Sequence, residues 1–128
     1  IQEGSASEHI SAFWDMMPTF ADIIGAEHPK GIDGISMLPT LLNMGIQKEH
    51  EYLYWEFNAV GGRKAVRMGN WKGVQYSIRK NPDARIRLFN LEADPGETID
   101  LSAQHPEVLV RIKTIMEEAS TESPIFKF

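Results

Sequence analysis

Residues 52–72 read YLYWEFNAVGGRKAVRMGNWK, and the alternation on either side of the Gly61–Gly62 pair decides the fold class. In an extended chain successive side chains point to opposite faces, so Leu53, Trp55 and Phe57 share one face and Tyr54, Glu56 and Asn58 the other. A Gly-Gly pair between two alternating runs predicts a β-hairpin, with the apolar face as core and the second face carrying polar groups. Asn70, Trp71 and Lys72 read as the next turn. Residues 73–78 (GVQYSI) and 86–91 (IRLFNL) then read as two more strands, separated by the polar turn RKNPDAR. Four short strands with close connections predict an antiparallel sheet.

The flanking segments have helical period. Pro106 stands at a helix start, and Val108, Leu109, Ile112, Ile115, Met116 and Ala119 follow on one stripe, which predicts a helix over 106–119. Its apolar side is expected on the sheet face of Leu53, Trp55 and Phe57, giving an α+β fold: a small four-stranded antiparallel sheet packed by a C-terminal helix, preceded by helical segments. Upstream, Phe13, Met16, Met17, Phe20, Ile23 and Ile24 recur at helical spacing. Pro18 fits a first turn, so the helix is expected to start at Asp15, with that side chain capping the first amides, and to end at Gly25. Residues 36–42 read as a short helix around Pro39, and residues 1–10 as a polar strand arriving from an upstream part of the protein.

Composition narrows the partners. At 128 residues and 42% hydrophobic content, one small core is expected and a second is not. A net charge of −5 argues against a general nucleic-acid binder, which gains affinity through clustered Lys and Arg. There is no cysteine, hence no disulfide, thiolate ligand or cysteine nucleophile. No apolar run reaches the roughly 18 residues of a membrane span.

Four segments in order resemble the C-terminal portion of the type I sulfatases, relatives of arylsulfatases and N-acetylgalactosamine-6-sulfatase in the alkaline-phosphatase-like superfamily. They are DMMPTFADIIG from Asp15, GIDGISMLPTLL from Gly31, YWEF with AVRMGNWK in the hairpin, and LFNLEADPGETIDLSAQHPE from Leu88. The resemblance implies a parent enzyme that hydrolyses sulfate esters, with sulfated saccharides as the expected substrate. It uses a formylglycine hydrate made from the Cys or Ser of a Cys-x-Pro/Ala-x-Arg motif, beside one calcium held by Asp and Asn. No segment here matches those motifs. Calcium and formylglycine are therefore expected in the parent and no cofactor, metal ligand or catalytic residue in this chain, which is expected to be inactive alone. Residues 1–45 are assigned to the end of a missing α/β catalytic domain and 46–128 to a C-terminal subdomain. The family implies a periplasmic, extracellular or lysosomal protein.

The residues expected to meet substrate are Glu56, Asn58 and Arg63, a carboxylate, an amide and a guanidinium close in sequence and suited to sugar hydroxyls or a second sulfate. The competing reading pairs Glu56 with Arg63 as a solvated contact across the hairpin. His9, His28, His50 and His105 lack ligand spacing. Asp94-Pro95-Gly96-Glu97 reads as a tight turn and Asp100 as a brace for the last helix. Trp55 is expected in the core, while Trp71 stands open between core and sugar platform. The helix bearing Phe13, Met16 and Phe20 would normally lie under the catalytic domain, so self-association or partial disorder of residues 1–45 is expected of the chain alone. The alternative is a non-catalytic carbohydrate-binding or protein-assembly module.

Overall fold

The computed structural model describes residues 1–121 and 123–125. The elements run α1 (Met16–Ile24), α2 (Leu38–Leu42), β1 (Leu53–Phe57), β2 (Arg63–Met68), β3 (Trp71–Tyr76), β4 (Ile86–Asn90) and α3 (Pro106–Glu118), with a single 3-10 turn at Phe13–Asp15 before α1. The chain forms two compact units, Ile1–Glu51 and Tyr52–Phe128. Residues 1–10 form no strand, contrary to expectation; their chain turns near Gly4, whose φ is +71°.

The apolar core expected from length lies in the second unit; the first is organised around polar groups. Asp15 and Thr19 are buried there. Asp15 does stand at the N-terminus of α1, but its carboxylate does not cap that helix. It accepts instead from Ala12 N at 2.7 Å, Ile35 N at 2.8 Å and His50 Nε2 at 2.9 Å. Thr19 Oγ1 donates to the Asp15 carbonyl at 2.6 Å and accepts from Met37 N at 3.0 Å, so one turn of α1 holds the loop that leads into α2. Pro18 lies in the first turn of α1, and Gly25 closes it in the left-handed region at φ +68°.

In the second unit the four strands form one antiparallel sheet in the order β1-β2-β3-β4. Trp71 and Lys72 belong to β3, not to the preceding turn; Met68 pairs with Trp71, which leaves Gly69 and Asn70 as a two-residue connection. The register Tyr54–Val66–Gly73–Leu88 runs across the sheet on the face that α3 covers. Val66, Leu88, Ile112, Ile115 and Met116 form the core there, with Tyr54, Trp71, Ile86 and Leu109 packed against it. The helix thus lies on the face of Tyr54 and Glu56, opposite to the one expected. The physical reason is on β3: a Cβ on Gly73 would stand 2.4 Å from Ile112 Cγ2, so the glycine lets the helix approach.

The other face holds Leu53, Val74 and Phe89, all buried, among more exposed Trp55, Phe57 and Tyr76. At the free side of β4, Leu101 N donates to the Leu88 carbonyl at 2.7 Å and Asp100 Oδ1 accepts from Leu88 N at 3.2 Å, which covers an otherwise unpaired edge. Among the described residues no helix is long and apolar enough to cross a membrane.

Candidate functional site

The loop 58–62 between β1 and β2 turns through three consecutive residues of positive φ: Val60 at +53°, Gly61 at +84° and Gly62 at +81°. Glycine adopts this region without steric cost; valine does not, so the tip needs support. That support comes from the segment after β3. Arg79 N donates to the Gly61 carbonyl at 3.0 Å and Ile78 N to the Gly62 carbonyl at 3.3 Å. Arg79 Nη1 also reaches the Asn58 carbonyl at 3.5 Å.

The three residues singled out from the sequence separate in space. Arg63 opens β2 opposite Phe57, and its guanidinium carbon lies 5.4 Å from the centre of the Tyr76 ring, on the sheet face away from α3. Glu56 faces Lys64 in the register and points to the α3 side. Asn58 follows β1 at the hairpin tip, half-buried. Glu56 and Arg63 form no ion pair across the hairpin; Lys64 Nζ, at 3.3 Å, is the cation beside the carboxylate. Glu56 Oε1 also accepts from Ser120 Oγ at 2.6 Å and from the Tyr54 hydroxyl. This cluster ties β1 and β2 to the end of α3.

Its electrostatics follow from those contacts. Burial works to raise the Glu56 pKa, but the donors Ser120, Tyr54 and Lys64 outweigh it, and the carboxyl lies below the usual glutamate value. Burial first, then the bond to Glu56, pushes the Tyr54 hydroxyl above the usual tyrosine value. Glu56 is therefore ionised and bonded, a bracing group in this arrangement.

Sequence reasoning missed Tyr76 and Arg87, which the register brings beside Arg63. Arg87 pairs with Val74, and its guanidinium carbon stands 5.6 Å from the same Tyr76 ring. The signal was the two-residue period of β4, which puts Arg87 on the face of Phe89. Trp71, left open above, packs against the core, 4.7 Å ring to ring from His105 at the start of α3.

The acids after β4 serve the turn. Asp94 accepts from Thr98 N at 2.7 Å and Ile99 N at 2.8 Å, and the Ile99 amide leads the contacts that lower its pKa. Asp100 accepts from Ser102 N at 3.0 Å and Arg85 Nη2 at 2.9 Å. Calcium and formylglycine do not fit this chain: neither Cys nor Ser stands at the head of an x-Pro/Ala-x-Arg motif, and among the described residues no three His, Cys, Asp or Glu side chains are grouped to hold a metal.

Residues 1–122 match the family described as N-sulphoglucosamine sulphohydrolase, C-terminal. Arylsulfatase K of Danio rerio is 28% identical over 100 residues, which are 73% of this chain and 19% of that protein. The N-acetylglucosamine-6-O-sulfatase of Bacteroides thetaiotaomicron is 28% identical over 132 aligned residues, 95% of this chain and 23% of that enzyme. A solved structure in complex with its substrate D-glucosamine-2-N,6-O-disulfate superposes with a TM-score of 0.65 at 23% identity, covering 82% of this chain and 23% of the other. The chain spans about a fifth of the length of the curated relatives it matches.

Proposed function

The chain belongs to the C-terminal family of N-sulphoglucosamine sulphohydrolase, and we propose that it is the C-terminal region of a sulfatase acting on sulfate esters of saccharides. The observation that carries this reading is the family match across residues 1–122, and a glucosamine-derived sulfate is the substrate class that the relatives favour. The catalytic centre, with its calcium and formylglycine, is assigned to an N-terminal domain, which is the chain's principal partner. Residues 1–45 complete that domain and 46–128 form the subdomain; the division after Glu51 supports this organisation. The apolar stripe of α1, with Met17 57% and Phe20 54% exposed, and Phe13 in the turn before it, 89% exposed, form the surface that the catalytic domain covers, and self-association or partial disorder of residues 1–45 is its fate in the chain alone. The compartment is periplasmic, extracellular or lysosomal.

Within this scheme the subdomain supplies one wall of the substrate cleft. Arg63 and Asn58 at the hairpin contact the sugar or a second sulfate, and Glu56 serves them by fixing β1 and β2 on α3. The test is sulfate release from N-acetylglucosamine 6-O-sulfate and from N-sulfoglucosamine by the protein in its full length, beside the 128-residue chain. The full-length protein releases sulfate and the chain alone does not. In the full-length protein Arg63→Ala raises KM, while Glu56→Gln lowers stability and leaves KM near its original value. No release from any saccharide sulfate by the full-length protein overturns the reading.

A further inference from the structure

The sheet face away from α3 carries Arg63, Arg67 and Arg87, and no strand residue on it is acidic. This is a local reversal in a chain of net charge −5. Among the described residues none of the three arginines forms an ion pair with a carboxylate; Arg67 Nε donates only to the Gly69 carbonyl, at 3.2 Å. Arg63 and Arg87 are exposed and converge on one ring, 5.4 Å and 5.6 Å from the centre of Tyr76, which is itself 36% exposed. Phe57, paired with Arg63 in the adjacent strand, is 55% exposed beside them.

From this geometry we infer a binding site for an anionic saccharide unit, with the two guanidiniums, held over the Tyr76 ring, taking sulfate or carboxylate groups and the Phe57 ring receiving the sugar. Guanidinium matches the oxygen spacing of such anions bidentately, which an ammonium does not. Contact with the ring holds each guanidinium in place before the ligand arrives, so less side-chain freedom is lost on binding. A sugar ring presents apolar C–H groups on its faces and anions at its edge, the pattern of aromatic surface flanked by cations found here. The anionic character of the ligand rests on this face; its saccharide character rests on the sulfatase reading.

The probe is a heparin-derived disaccharide, trisulfated or chemically desulfated, titrated into the full-length protein at low and physiological salt. The trisulfated disaccharide binds, and desulfation weakens it at least tenfold. Arg63→Gln with Arg87→Gln weakens it by a similar factor, Tyr76→Leu weakens it several-fold, and the paired Arg→Lys variant falls between wild type and Gln. Lys113→Gln, on the outside of α3, leaves it unchanged. Unchanged thermal melting of these exposed variants shows that the fold is kept. Equal affinity of wild type and the double Gln variant, or no binding by wild type, overturns the inference. Sulfate release in the same preparations separates the two proposals. Release without arginine-dependent binding removes this site, and the Arg63 contact with it, while leaving the sulfatase reading; arginine-dependent binding without release from any saccharide sulfate removes the sulfatase reading alone.

Discussion

Asp15 shows how far one side chain can organise a unit that has little apolar core. Its carboxylate is fully buried and joins the chain before α1, the loop before α2 and His50. Removing it leaves two backbone donors and an imidazole buried without their acceptor, so Asp15→Ala is expected to destabilise the first unit by about 3–5 kcal/mol. Hydrogen exchange checks this: the amides of Ala12, Ile35 and Met37 lose protection, whereas those of Val66 and Leu88 keep theirs. The position of Asp15 at the helix start was legible from Pro18 and the apolar spacing. Two of its three partners were not, because Ile35 and His50 lie 20 and 35 residues away and nothing local specifies them. Glu56 repeats the lesson: Ser120, its hydrogen-bond partner, is 64 residues distant. For Arg63 the strand assignment was enough to place it on a face, yet Arg87 required the register of two further strands.

The pairing of α3 with the sheet depends on Gly73. The existence and order of all four strands and of α3 were legible, because alternation and the stripe from Val108 to Ala119 are strong local signals. Which face the helix covers was not, since Leu53 on one side and Tyr54 on the other both look like core. The choice is decided by space: Gly73 is the low point in the middle of the sheet where Ile112 sits, with Ile86 Cγ2 also only 3.3 Å from where a Cβ would stand. Gly73→Ala is expected to cost about 1–3 kcal/mol by forcing the helix outward. The check is a double-mutant cycle by urea denaturation: Ile112→Ala costs less in the Gly73→Ala background than in wild type, because it removes the atom with which the new methyl collides. Additive costs would mean that the two residues do not share this contact.

At the scale of the whole molecule, the 128 residues combine a core-bearing sheet and helix with a first unit whose helix α1 exposes Met17, Phe20 and Ile24, with exposed Phe13 in the turn before it. An apolar stripe of that kind on a polar-centred unit is understandable as an internal surface of something larger, and relatives several times longer than this chain agree with it. The ordered segments beginning at Asp15, Gly31, Tyr54 and Leu88 made the family legible in the sequence. The cation-lined sheet face was not, because it is assembled from β2, β3 and β4 and no single segment displays it. The central claim is that this chain is the C-terminal region of a larger sulfatase. The direct measurement is the intact mass of the native protein that contains it, taken on the fraction that releases sulfate from N-acetylglucosamine 6-O-sulfate. The account predicts a single active species several-fold heavier than 14.5 kDa that yields peptides from this sequence. A native species of 14.5 kDa, with the sulfate-releasing activity in a different fraction, would contradict it.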